Sequence, residues 1–204
     1  ALRQNPSIAP ELINGNGIPM GYLYPAIQPV IITLDKTLDT RYENGSPIAT
    51  QHTYSYYSDY KTIVKKESTT TSDGNTTITD YLYPFDFNDS VMKRMTALNM
   101  ISSPVKTVKS RNGSVIMENV DTYALFGSTS VPRINKQSYK TSSDGEMITV
   151  QTILAYDTNG NPQWINSQGL DIVYIWGYGG QYPIAEIKNA TLAVVNAALG
   201  YHSD

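Results

Sequence analysis

Ser72-Asp73-Gly74-Asn75 stands between Lys61–Thr70, a run rich in Thr, Val and Ile, and Thr76-Thr77-Ile78-Thr79-Asp80-Tyr81-Leu82-Tyr83. An Asp-Gly pair between two β-prone runs predicts a hairpin, because the glycine takes the positive φ that a tight reversal needs. The same grammar recurs twice. Val105 to Ser110 leads into Arg111-Asn112-Gly113 and out through Ser114 to Met117, and Arg133 to Thr141 leads into Ser142-Ser143-Asp144-Gly145 and out through Met147 to Tyr156. Three hairpins with matching turns predict a mainly β fold, an antiparallel sheet built from hairpins, with one or two short helices. Upstream, Gln51-His52-Thr53-Tyr54-Ser55-Tyr56-Tyr57-Ser58 alternates as a strand does, and Val30-Ile31-Ile32 is expected to start the first strand.

Outside this body the pattern changes. Residues 1–30 carry Pro6, Pro10, Pro19, Pro25 and Pro29 with Gly15, Gly17 and Gly21 between them, a spacing that neither a helix nor a central strand tolerates. They are expected to form an extended arm anchored by Tyr22, Leu23 and Tyr24. Residues 31–188 are the antiparallel β domain. Within it, Asp89 caps a short helix near 90–98 with Val91, Met95 and Leu98 on one face. Residues 189–204 hold a second helix, begun by Asn189 and ended at Gly200, whose stripe of Leu192, Val195 and Leu199 packs on a sheet or on a neighbouring unit.

Composition excludes several kinds of chemistry. The chain has 204 residues with no cysteine, so disulfides, Fe–S clusters, thiolate zinc and a cysteine nucleophile are ruled out. Two histidines, His52 and His202, cannot make a multi-histidine metal site in one chain. A net charge of −3 gives no basic footprint for a phosphate backbone, which speaks against a nucleic-acid partner. No apolar run approaches the roughly 18 residues of a membrane-spanning helix. The start, Ala1-Leu2-Arg3-Gln4-Asn5-Pro6, lacks the apolar core of a secretory signal and a Met, so the natural chain is expected to begin upstream.

No catalytic, cofactor or metal residues are assigned. Asp157, Asp171 and Glu186 are the carboxylates with interesting neighbours. Asp157 is placed in a turn, where its oxygens take backbone N–H groups, Asp171 in a loop after Gly169, and Glu186 on a solvated strand face or in a cross-strand ion pair. Asp157-Thr158-Asn159-Gly160-Asn161 alternates Asp and Asn like an EF-hand loop, but Pro162 replaces the required Gly and no closing Glu follows. Gly177-Tyr178-Gly179-Gly180 lacks the Lys-Ser/Thr pair of a phosphate loop and reads as a bulge or a tight crossing. No Gly-x-Ser-x-Gly elbow is present.

Aromatic residues supply the candidate contacts. There are sixteen tyrosines against three phenylalanines. Tyr offers a flat apolar ring and one hydroxyl, which suits both sugar stacking and protein contacts. In Tyr54-Ser55-Tyr56-Tyr57, alternation sends Tyr54 and Tyr56 to one face and Tyr57 to the other. Trp176 is expected in the core, whereas Trp164, just after a turn, is the candidate for an exposed contact. The ligand-contact set is therefore Trp164, Tyr54, Tyr56 and Tyr57. The competing reading makes the tyrosines cross-strand ladders of a thin sheet.

Leu154-Ala155-Tyr156-Asp157-Thr158-Asn159-Gly160-Asn161-Pro162 resembles a YD repeat, in which Tyr-Asp closes a strand and Asn-Gly starts the next. Thr53–Asp59 and Tyr81–Asp86 are looser echoes. Tyr174-Ile175-Trp176-Gly177-Tyr178-Gly179-Gly180-Gln181-Tyr182-Pro183-Ile184-Ala185-Glu186-Ile187-Lys188-Asn189-Ala190 is similar to a stretch of large Bacteroidetes surface or secreted proteins of the RHS/YD-repeat type. The resemblance implies a cell-surface or secreted, non-enzymatic structural or interaction module, followed by further repeats. Its implied partners are neighbouring repeats of the same polypeptide, with another protein or a glycan as further partners. It brings no catalytic residues. A glycan-binding module using exposed Tyr and Trp is the alternative, and a carboxylate-based glycoside hydrolase the second.

Overall fold

The computed structural model describes residues 31–127 and 130–200. The chain divides into two units, Ala1–Ile32 and Thr33–Asp204, and the fold below is that of the second. The proline-rich arm with Tyr22, Leu23 and Tyr24, and residues 201–204 with His202, lie outside the described residues.

The structure is mainly β, as the hairpin grammar predicts. Eleven strands follow one another in a single antiparallel sheet whose spatial order is the chain order. They are β1 (Lys36–Glu43), β2 (Ser46–Tyr56), β3 (Val64–Thr71), β4 (Thr76–Leu82), β5 (Lys106–Arg111) and β6 (Ser114–Ala124). There follow β7 (Arg133–Lys140), β8 (Ile148–Tyr156), β9 (Pro162–Ser167), β10 (Leu170–Gly177) and β11 (Tyr182–Lys188). Helix α1 (Ser90–Ala97) lies between β4 and β5, and α2 (Leu192–Leu199) follows β11.

Because the strands form a meander, all connections leaving odd strands lie at one rim of the sheet and all those leaving even strands at the other. The first rim is made of reversals at residues 44–45, 72–75, 112–113, 141–147 and 168–169. At Asn112-Gly113 the φ values of 49° and 84° are those of a type I′ reversal, where an asparagine and a glycine both accept the left-handed region. The second rim carries longer segments and the aromatic strand ends.

Among the described residues the first strand begins at Lys36 rather than at Ile31-Ile32, and Val30 lies outside them. Pairing of β1 with β2 stops at Lys36 opposite Thr53, three residues before β2 ends: Asp35 still accepts from the Tyr54 N–H, and Leu34 accepts from the Tyr56 hydroxyl. Asn44-Gly45 then closes β1 on β2, with Glu43 opposite Ser46. Asp171 is in β10, not in a loop, because Gln168-Gly169 completes the reversal with φ values of 51° and 89° and sets Asp171 opposite Asn166.

Threonines line the early strands, with Thr50 opposite Thr71, Thr69 opposite Thr77 and Thr70 opposite Thr76. Across the middle, the Lys106 ammonium meets Glu118 at 2.8 Å and Lys140 meets the other Glu118 oxygen at 3.5 Å, tying β5, β6 and β7. The Lys106 contact holds the Glu118 carboxyl below the usual carboxylate range. An amide ladder runs parallel to it: Gln137 Nε2 donates to Asp121 at 3.0 Å and Gln151 Nε2 to Gln137 Oε1 at 2.6 Å.

Little of the sheet is buried on both faces. The buried hydrophobic side chains among the described residues are Tyr83, Met92, Met95, Val105, Ile153, Val173 and Val195. Met92, Met95 and Val105 cluster under α1 with Phe87, Met100 and Tyr123 packed against them. Asp89 caps α1 by accepting from the Val91 and Met92 N–H groups, as its sequence predicts. The face that packs is Met92–Met95, however. Leu98 is the C-cap and exposed, since a two-turn helix is oriented by the chain entering it more than by its own periodicity. Thr191, not Asn189, caps α2. Asn189 has left-handed φ and gives its N–H to Asp171 at the end of the β10–β11 pair.

Candidate functional site

The aromatic strand ends gather at the rim that receives the even strands. Tyr57, just past β2, meets Phe85 edge-on at 4.9 Å and Tyr83 at 5.8 Å, while Tyr60 stacks on Phe85 at 4.3 Å. The Tyr57 hydroxyl donates to Asp86 Oδ2 at 2.6 Å and lies 2.8 Å from the Tyr81 carbonyl. Asp86 Oδ2 also accepts the Tyr83 N–H at 2.8 Å, so one carboxylate joins the ends of β2 and β4. Farther along the rim, Phe126 meets the Tyr156 ring at 4.8 Å, the Arg133 guanidinium lies over that ring at 5.2 Å, and the Tyr156 hydroxyl donates to the Ile134 carbonyl. The rim ends in Tyr178 and Tyr182, 6.2 Å apart and both largely exposed.

The Tyr57 and Tyr156 hydroxyls are held as donors. Burial, with the Asp86 carboxylate second, pushes Tyr57 above the ordinary phenol range. Burial likewise raises Tyr81, Tyr83, Tyr123, Tyr156 and Tyr174. A raised phenol stays protonated at neutral pH, so the cluster offers apolar rings and O–H groups and not a base.

The candidate contacts are distributed across the sheet. Tyr54 lies in β2 opposite Glu67, Tyr56 is tied through its hydroxyl to Leu34, and Tyr57 belongs to the Phe85 cluster. All three are half-buried. Trp164 is in β9 opposite Val173 of β10, on the other face from Tyr54 by register. Seven inter-strand spacings of about 4.8 Å separate β2 from β9, about 34 Å along the sheet, so no one small ligand touches all four. Trp164 is half-buried and its indole N–H donates to Asp171 at 3.1 Å, beside Asn166, which donates to the same oxygen. Trp176 is also half-buried rather than fully in the core, with its N–H on the Pro162 carbonyl at 2.9 Å.

Each singled-out carboxylate has local work. Asp157 takes the Asn161 backbone N–H at 2.7 Å and the Asn161 side-chain amide at 3.1 Å, which closes the Asp157–Asn161 turn. Glu186 is on an exposed strand face, as expected, and its ion pair, with Lys188 at 3.0 Å, runs along that face of the same strand rather than across strands. His52 sits beside Thr69 at 3.0 Å. No group of three or more His, Cys, Asp or Glu side chains suited to a metal occurs among the described residues. The chain matches no family model, no curated protein and no solved structure.

The feature that sequence reasoning missed is a groove of about 340 Å³ between α2 and β10, lined by Gln163, Val173, Ile175, Trp176, Val195 and Leu199. The Leu192-Val195-Leu199 stripe signals that α2 packs on a sheet, but not which strands receive it. No helix of the described residues is long and apolar enough to cross a membrane.

Proposed function

We propose that this chain is a non-enzymatic structural or interaction module of a larger extracytoplasmic YD-repeat-like protein. The observation that carries this reading is that, among the described residues, eleven strands form one sheet accompanied by two short helices, with seven buried hydrophobic side chains and no strand paired on the outer edges of β1 and β11. Domains that stand alone bury the apolar side of a sheet under a second layer, whereas units of a repeat array complete their cores on neighbours. Engaged tyrosine hydroxyls and carboxylates committed to turns and ion pairs fit a scaffold better than a reacting centre.

Hydrogen exchange on the isolated chain tests the reading. Amides of β1 and β11 should exchange far faster than those of β5 and β6, and joining the chain to the segments that flank it in its parent polypeptide should protect β11. An isolated chain that is monomeric, unfolds in one cooperative step and protects β1 and β11 as well as β6 would sink it. Saturable binding on a glycan array that is lost in Trp164→Ala would replace it with the glycan-binding reading.

A further inference from the structure

Three Asn-Gly pairs close hairpins among the described residues, and the fold holds them differently. In such a pair the glycine amide nitrogen can attack the asparagine Cγ. A new N–C bond forms, the Cγ–Nδ2 bond breaks, and ammonia leaves carrying the proton given up by the attacking nitrogen. Water then opens the succinimide to aspartate or isoaspartate, so the only co-reactant is solvent. The step needs an asparagine side chain free to turn toward the next nitrogen and a reversal able to open, since the folded hairpin geometry does not present the two atoms to each other.

Asn112-Gly113 satisfies neither need. Asn112 Oδ1 accepts the Thr76 N–H at 2.8 Å and its Nδ2 donates to Asn75 Oδ1 at 2.8 Å, which fastens the side chain to the neighbouring reversal. Its hairpin, β5–β6, is flanked by β4 and β7, so opening it disturbs the middle of the sheet. Asn159-Gly160 is held in another way. The Gly160 N–H bonds the Asp157 carbonyl at 3.0 Å, and the Arg133 guanidinium packs against the glycine and donates to its carbonyl. Asn159 itself is wedged against Gly180, so closely that a Cβ there would fall 2.3 Å from its amide nitrogen.

Asn44-Gly45 has none of these restraints. Both residues are exposed, nothing stands within 4 Å of the space beside the Gly45 Cα, and the Asn44 side chain has no hydrogen-bond partner among the described residues. The hairpin it closes contains β1, which among the described residues pairs on one side only and is exposed at every residue except half-buried Thr37. Edge hairpins of this kind open at low free energy compared with central ones.

We infer that Asn44 is a site of spontaneous deamidation and isoaspartate formation, and that the fold protects Asn112 and Asn159 from the same reaction. The product alters the edge it sits on. Isoaspartate adds a backbone methylene to a two-residue reversal and destroys the β1–β2 register, while aspartate places a second negative charge beside Glu43.

The test is to age the native 204-residue chain at mildly alkaline pH and follow each Asn-Gly pair by peptide-mapping mass spectrometry, with enzymatic methyl-labelling of isoaspartate. Asn44 should convert at least about tenfold faster than Asn112 or Asn159 in the folded protein, reflecting the easier opening of its hairpin. In strong denaturant the three rates should converge to within about threefold, because no fold remains to distinguish them. Asn14-Gly15 and Asn16-Gly17 fall on a different tryptic peptide and do not interfere. Asn112 or Asn159 converting as fast as Asn44 in the native chain would overturn the inference, as would an Asn44 that reacts in denaturant and stays intact in the folded protein.

Discussion

The two rims of the sheet make the same number of connections and, apart from the Asn159-Gly160 reversal on the second, use different chemistry. One rim reverses the chain with Asn-Gly, Asp-Gly and Gln-Gly, and where its side chains bond they take partners in their own or the adjacent reversal, as Asp73 does with the Asn75 N–H and Asn112 with the Thr76 N–H. The other rim receives Tyr57, Tyr83, Phe85, Phe126, Tyr156 and Tyr178 and holds the packed cluster under α1. The difference teaches where stability resides in a one-layer sheet. The turn rim sets register through local conformational preference, while the aromatic rim supplies apolar burial between chain segments that are distant in sequence. Damage to the second should therefore cost more than damage to the first.

Met95→Ala is the hardest test of that contrast. Met95 is 2% exposed and touches the Met92–Val105 cluster, so truncation should destabilise the chain by about 2–4 kcal/mol in denaturant unfolding. A loss no larger than that of a turn substitution would break the comparison. Tyr57→Phe probes the same rim more gently: the ring and its contacts with Phe85 and Tyr83 stay, and the hydroxyl bond to Asp86 goes. The expected cost is about 1–2 kcal/mol, since Asp86 keeps the Tyr83 N–H as a partner. On the turn rim, Gly113→Ala meets no steric neighbour but puts a Cβ at φ 84°, which should cost about 1 kcal/mol with no change in the unfolding slope.

The same contrast governs what the sequence made legible. Asp73-Gly74 and Asn112-Gly113 announce their reversals because a turn depends on the residues in it, whereas Asp144-Gly145 sits in a longer connection, 141–147, and its glycine does not take the positive φ expected of it. Asn44-Gly45 carries the same signal. It closes β1 on β2 in the same way, with Glu43 opposite Ser46. The aromatic rim was visible only as a tendency of tyrosines to close strands. That Tyr57 meets Phe85, or that Met92 rather than Val91 and Leu98 faces the core, depends on where β4, α1 and β6 bring their ends together. Trp164 shows the limit for a site residue. Its place after a turn says it lies near a surface, but only the β9–β10 register sets Asp171 within reach of its indole N–H.

Between the rims, the Lys106–Glu118–Lys140 strip belongs to neither, and it gives the smallest and most specific expectation. Lys106 holds the Glu118 carboxyl below its ordinary range in the folded chain. A depressed folded pKa means that the unfolded chain binds the proton more readily, so the stabilisation is present above the unfolded carboxyl pKa of about 4.3 and is lost as pH falls through the folded value. Unfolding free energies measured from neutral to acidic pH should therefore fall more steeply for the native chain than for Glu118→Gln, with the two curves drawing together below the folded pKa. Parallel curves would mean that solvent and the mutual repulsion of the two lysines cancel the pair, leaving the middle of the sheet held by backbone pairing and the Asp121–Gln137–Gln151 ladder alone.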